Sequence, residues 1–139
     1  MAERRRVLFV CAHNGGPSRM AAAYMDHIAG ERYEALSAGP EPVDRPHPEA
    51  VASMAEAGIV LGDEPGTLLT PDLAASAHRV IGMGCAVEAA CPALTVPLED
   101  WGIPEPMGRP PAEVRVIRDT IRRLVERLVA RLDAEAAVR

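Results

Sequence analysis

The sequence predicts an α/β fold, a single domain with a four-stranded parallel sheet and helices on both faces. Three observations carry that expectation. Short apolar runs of strand length alternate with segments of helical periodicity, the pattern of a mostly parallel sheet. The first run, at 6–12 (RVLFVCA), is nearly continuous in apolar residues, as a strand covered on both faces must be. The last segment, from Pro111 onward, is a long amphipathic helix with Val114, Ile117, Ile121, Leu124, Val125, Leu128 and Leu132 along one face.

The elements between them follow in order. Residues 18–30 read as a helix, with Met20, Tyr24, Met25 and Ile28 at helical spacing and Gly30 as its stop. Residues 34–38 read as a weaker strand, followed by the proline-rich loop GPEPVDRPHP. Pro48 opens a helix that places Val51, Met54 and Ala55 on one face and ends at Gly58. After a loop over 59–69, Thr70 is the N-cap of a short helix with Pro71 at its first position. Residues 79–83 (RVIGM) form the third strand and 93–96 the fourth. Residues 85–91 are a helical turn or a loop, and EDWGIPEPMGRPP is a loop.

The 139 residues suit one domain spanning 1–139, long enough to bury a core. Apolar residues make up 48 % and charged residues 25 %, an ordinary soluble composition. The net charge of −5, without any basic block, argues against a nucleic-acid surface, and at 3 % aromatics there are few platforms on which bases could stack. Every basic residue is arginine. Arg4, Arg5 and Arg6 followed by an apolar run faintly mimic a signal peptide, but the run falls short of the roughly 7–15 residues required. No stretch approaches the roughly 20 residues of a membrane span, so a cytoplasmic protein without a membrane partner is expected. Three cysteines in such a chain point to chemistry or metal rather than a structural staple. For zinc, the Cys85–Cys91 spacing is wrong and no second ligand pair follows, so no metal is assigned.

Cys11 stands where the first strand stops, at the sheet edge where α/β proteins bind ligands. The loop behind it contains Gly15 and Gly16, which let successive N–H groups converge into an anion nest. The helix that follows adds its positive end, which favours an oxyanion and a thiolate alike. Ser18 lies where its hydroxyl can bond back to the sulfur. One reading is a nucleophilic thiolate beneath an oxyanion cradle built from Ala12, His13, Asn14, Gly15, Gly16, Pro17 and Ser18. The other is a buried cysteine that ends a strand, with glycines only turning the chain. Asn14 reads as a support for the loop, and His13 as a loop residue rather than an acid–base group.

The stretch VLFVCAHNGGPSRMAAA resembles the signature loop of the low-molecular-weight tyrosine phosphatase superfamily, and more closely that of its arsenate reductase branch. SAGPEPVDRPHPEAVASMAEAGI, LLTPDLA, VIGMGC, ACP and EDWGIPEPMGRPPAEVRVIRDTI resemble successive segments of that branch in the same order, over nearly the whole chain. The resemblance implies a low-molecular-weight phosphatase-like fold and Cys11 as nucleophile. It also implies a C-x5-R loop whose arginine forks around the oxyanion. That position is Pro17 here, while Arg19 stands where the branch usually has glutamine. Either Arg19 takes over anion binding, which requires the helix to begin late, or Pro17 is the first helical residue. In the second case backbone N–H groups hold the anion, or an arginine from another loop does, such as Arg45 or Arg109.

By the same resemblance, Cys85 attacks the adduct on Cys11 and Cys91 then closes a disulfide with Cys85; the alternative is two small residues packing near the sheet. Six residues of intact helix rise about 9 Å, more than the roughly 4.4–6.8 Å between the Cα atoms of a disulfide. A helical 85–91 segment would therefore have to unwind to oxidise. Glu105, in Glu105-Pro106, matches the superfamily's proton-donating aspartate. Asp100 is the runner-up, and a solvated loop acid is the plain alternative. A glutamate is ordinarily ionised near neutral pH, so the role calls for burial or a neighbouring anion.

The implied activity is arsenate reduction without a bound cofactor, recycled by an external dithiol. The thioredoxin-linked type is favoured over the mycothiol/mycoredoxin type. A phosphatase acting on small esters through a phosphocysteine is the alternative; with Trp101 almost alone as a wall for a phenyl ring, a tyrosine substrate is disfavoured. A non-catalytic anion or redox sensor is the third reading, motivated by the absent arginine at Pro17.

Overall fold

A computed structural model describes residues 4–84 and 98–138. In chain order the elements are β1 (Arg5–Val10), α1 (Pro17–Ala29), a 3-10 turn (Gly30–Arg32) and β2 (Tyr33–Ala38). There follow α2 (Pro48–Glu56), α3 (Pro71–Ala75), β3 (Arg79–Gly82), β4 (Leu98–Asp100) and α4 (Pro111–Ala137). The four strands form one sheet in the order β2-β1-β3-β4, with every pairing parallel.

The alternation of side chains along β1 divides the core in two. Val7, Phe9 and Cys11 point with Ile81 and Met83 into the larger cluster, which α1, α2 and α4 cover. Leu8 and Val10 point with Ala38 and Val80 to the opposite face, which Leu69, Ala74 and Ala77 around α3 cover. Val7, Leu8, Phe9 and Val10 are all fully buried. Burial of this kind stabilises by about 1.5–3 kcal/mol per large apolar side chain. The central strand is thus a rigid stem, and Cys11 follows its last residue.

The capping logic holds where it can be seen. Thr70 accepts the Leu73 N–H at 3.1 Å on its side-chain oxygen. Gly30 and Gly58 both have positive φ just past their helices, a conformation favoured by glycine. All the residues of the expected α4 stripe are buried except the half-buried Leu124.

Three expectations need correction. In α2 the buried face is Ala50, Ser53 and Met54, while Ala55 is exposed, because α2 turns its inner face towards α4 and α1. Leu98–Asp100 is a strand, not the start of a loop. It pairs with β3 at the sheet edge, where charged residues such as Glu99 and Asp100 are tolerated. Trp101 is no free wall for a substrate ring: its ring packs 5.8 Å from that of Phe9, and its N–H donates to Glu99 at 2.7 Å. The expected strand at 93–96 and the segment carrying Cys85 and Cys91 lie outside the described residues.

Candidate active site

The loop between β1 and α1 is held by its carbonyl groups. The Ala12 carbonyl accepts from the Glu41 N–H at 2.9 Å, that of His13 from Val43 at 3.0 Å, and that of Gly15 from His47 at 2.7 Å. The Asn14 carbonyl accepts from Arg19 Nε at 2.6 Å. The Gly16 carbonyl accepts the Met20 N–H at 3.0 Å in the first turn of α1.

All peptide bonds among the described residues are trans. In a trans peptide the C=O and the following N–H point in opposite directions. Carbonyls of residues 12–15 turned towards the surrounding chain therefore turn the N–H groups of His13, Asn14, Gly15 and Gly16 to the other face of the loop. The next position is Pro17, which has no N–H to add.

A second set of bonds reaches the sulfur. Asn14 Nδ2 donates to Ser18 Oγ at 2.8 Å, and Ser18 Oγ lies 2.9 Å from Cys11 Sγ. Because Ser18 Oγ accepts from Asn14, its own proton is free to point at the sulfur. Asn14 Oδ1 accepts the Thr67 N–H at 2.8 Å, which ties the loop to the 59–69 segment. Asn14 holds φ +48°, in the left-handed region that asparagine tolerates better than most residues. Asn14 thus bonds both to Ser18 and to the Thr67 N–H, and Ser18 contacts Cys11. Cys11 is only 1 % exposed and is a free thiol.

Glycine is required where the loop is crowded. A Cβ on Gly15 would lie 2.7 Å from His47 Nε2 and 2.9 Å from Val43 Cγ2. A Cβ on Gly39 would collide with the Cys11 carbonyl oxygen, so β2 can end against this loop only with glycine there.

α1 begins at Pro17, at the first helical position that proline favours. That removes the condition on which Arg19 was to fork around the anion. Its guanidinium lies behind the loop instead, bonded to the Asn14 carbonyl, with one terminal nitrogen buried and unpartnered among the described residues. Burial pulls the Arg19 pKa below its ordinary value, and the negative charges of Glu64, Cys11 and Asp63 partly oppose that shift. Arg19 is therefore held by the loop's own backbone rather than forked around an anion. Arg109 donates Nε to the Glu105 carbonyl at 2.7 Å within its own turn, and Arg45 is exposed on the proline-rich loop. His13 Nδ1 lies 3.2 Å from the Glu41 carbonyl, the contact of a loop residue.

Glu105 comes to the site from the other side of the chain. Its Oε1 is 3.2 Å from where a Cβ on Gly16 would stand, and 4.0 Å from His47 Nε2. The turn that carries it is braced by the Gly108 N–H, which donates to Glu49 Oε2 at 2.9 Å. That bond, with the N–H of Glu49 itself, lowers the Glu49 pKa. Asp100, the runner-up acid, accepts the Gly102 N–H at 3.2 Å in its own turn. The sequence reading missed His47 and Thr67. Each acts on the loop from a distant part of the chain, and the only trace in the sequence is that Gly15, Gly16 and Gly39 leave room for close neighbours.

Residues 6–138 match the family model described as low molecular weight phosphotyrosine protein phosphatase. The chain belongs to this family. Among its relatives is arsenate reductase 1 of Staphylococcus epidermidis, 28 % identical over 132 residues, which cover 94 % of this chain and 99 % of the relative. Among solved structures of the family fold, an arsenate reductase in the phosphate-binding state is 30 % identical with a TM-score of 0.78, over 91 % of this chain and 98 % of that one. A thioredoxin-dependent arsenate reductase from Corynebacterium glutamicum is 29 % identical with a TM-score of 0.70, over 93 % of this chain and 64 % of that one.

Proposed function

We propose that this member of the family reduces arsenate to arsenite, with Cys11 as the attacking thiolate. The observation that carries the reading is the outward turn of the carbonyls of residues 12–15, which leaves consecutive N–H groups for an oxyanion beside a sulfur that Ser18 supports. Such preorganised donors stabilise charge where it develops. The similarity to named arsenate reductases over nearly the full chain supports the same substrate.

In the proposed sequence the Cys11 thiolate attacks arsenic, forming an S–As bond as an arsenate oxygen leaves as water, with its proton from Glu105. Cys85 then attacks Cys11 Sγ. Arsenite departs with the electron pair of the S–As bond, and a Cys11–Cys85 disulfide forms. Cys91 resolves it to Cys85–Cys91, releasing Cys11 as a thiolate. An external dithiol reduces that disulfide. Thioredoxin is the favoured donor, supported by the thioredoxin-dependent relative, with a mycothiol/mycoredoxin system as the other candidate. Recycling by such a dithiol fits work in a reducing compartment such as the cytoplasm.

The test is NADPH consumption by the reduced protein with arsenate, thioredoxin and thioredoxin reductase. Cys11→Ser, Cys85→Ser and Cys91→Ser should each abolish turnover. Hydrolysis of small phosphate esters that is lost only in Cys11→Ser, without arsenate turnover, would make the protein a phosphatase. Inactivity of the wild type in both assays would favour an anion or redox sensor.

A further inference from the structure

We propose that His47 is a positioning residue that holds the proton which Glu105 delivers to the departing oxygen, an inference that rests on the arsenate reading above. His47 is 8 % exposed, and its Nε2 is buried without a hydrogen-bond partner among the described residues. A ring nitrogen in that state is unfavourable unless a partner arrives. Its position is fixed from two directions. Its backbone N–H donates to the Gly15 carbonyl at 2.7 Å, and its ring packs on the places where Gly15 and Gly16 lack a Cβ. Glu105 Oε1 packs on the same Gly16 and stands 4.0 Å from Nε2.

Closing that gap by about 1 Å would make a hydrogen bond. Catalytic hydrogen bonds are commonly long before substrate binds. Among the described residues, the charged groups that interact with His47 are Glu105, from the turn before α4, and Glu49, on α2 itself. Glu49 already accepts the Gly108 N–H, which leaves Glu105 as the partner.

The chemistry needs such a pair. A carboxylic acid is ordinarily ionised at neutral pH, whereas imidazole titrates near about 6.5 and can hold a proton there. In the step that forms the S–As bond, the proton on His47 Nε2 passes to Glu105 and from Glu105 to the departing oxygen. That oxygen leaves as water while the As–O bond breaks. Glu105 ends as it began, ionised, and neutral imidazole regains its proton from solvent. Nothing is oxidised or reduced in this step.

Single-turnover rates with enzyme in excess over arsenate, measured across pH, test the pair. The wild-type rate should fall as pH rises through the imidazole range. His47→Gln should lower the rate at neutral pH by about tenfold or more, remove that limb, and leave arsenate affinity within about twofold. His47→Gln combined with Glu105→Gln should be no slower than the slower single variant. A second measurement needs neither turnover nor a His47 variant: the ring resonances of His47, followed by NMR against pH, should titrate at lower pH in Glu105→Gln than in wild type. A limb that persists in His47→Gln, a loss confined to affinity, or an unmoved ring titration would each overturn the pairing. Absence of arsenate turnover in the wild type would instead strike the nucleophile reading, while the ring titration still decides the pair.

Discussion

Arg19 donates Nε to the carbonyl of Asn14 at 2.6 Å, and so grips from behind the loop whose other face presents N–H groups. A cation on that carbonyl polarises the Asn14–Gly15 peptide and strengthens its N–H as a donor. It also supplies a positive charge that interacts with the Cys11 sulfur. Arg19→Ala should therefore weaken arsenate binding, raising KM by about tenfold, the scale of one hydrogen bond to a charged group. Arg19→Gln should recover part of the loss by keeping a donor without the charge. An unchanged KM in Arg19→Ala would remove this residue from anion binding.

Pro17 occupies the position at which the resemblance calls for the arginine that forks around the oxyanion. It is the first residue of α1, where helical geometry does not depend on the ring. Pro17→Arg should fold and bind arsenate more tightly, lowering KM by about tenfold or more, because a bidentate guanidinium contact is among the stronger polar interactions. Isothermal titration with arsenate or phosphate checks this directly. No gain in affinity would mean that the anion does not sit over the Cys11 loop.

Asn14 holds Ser18 and the Thr67 N–H at once while sitting at φ +48°. Asn14→Ala loses both bonds and keeps the unfavourable φ, so urea denaturation should show a loss of about 1–3 kcal/mol. Asn14→Gly loses the same bonds without the φ strain and should fall between the two. Both variants should slow alkylation of Cys11 at neutral pH, because Ser18 is no longer oriented to support a thiolate.

Tyr33 is 4 % exposed, and its hydroxyl donates to Asp133 at 2.7 Å. Burial first, and then the bond to Asp133, push its pKa from 10.0 up to about 12. The raised folded value fixes the sign. Below the unfolded pKa both states are protonated and the contribution is complete. As pH rises further the unfolded chain ionises first, and the contribution is lost by the time the folded group titrates. The thermal midpoint should thus decline between about pH 10 and pH 12, and Tyr33→Phe should flatten that decline.

The periodicities of the chain settled the elements. The apolar run around Val7–Val10 can only be a strand covered on both faces, and the α4 stripe can only be one side of a helix. The Thr70-Pro71 start and the Gly30 stop are local preferences, legible without any partner. The position of Cys11 at the strand's end and the reach of Ser18 to its sulfur followed from spacing seven residues apart in the chain.

What the tertiary structure alone decided lies in contacts between segments far apart in sequence. Whether Arg19 forks around an anion or grips the loop depends on where α1 begins and on which way the Asn14 carbonyl faces. Neighbours from 41–47 set that geometry, not the loop itself. His47 joined the site because parallel strands return every loop to the same sheet edge, so residues 32 positions apart share the Gly15 backbone. The β4 strand was invisible because Glu99 and Asp100 have the composition of a loop, and pairing with β3 outweighed their local preference. Local chemistry fixes which residues can turn, cap or alternate; only packing fixes which side of a loop the charge occupies.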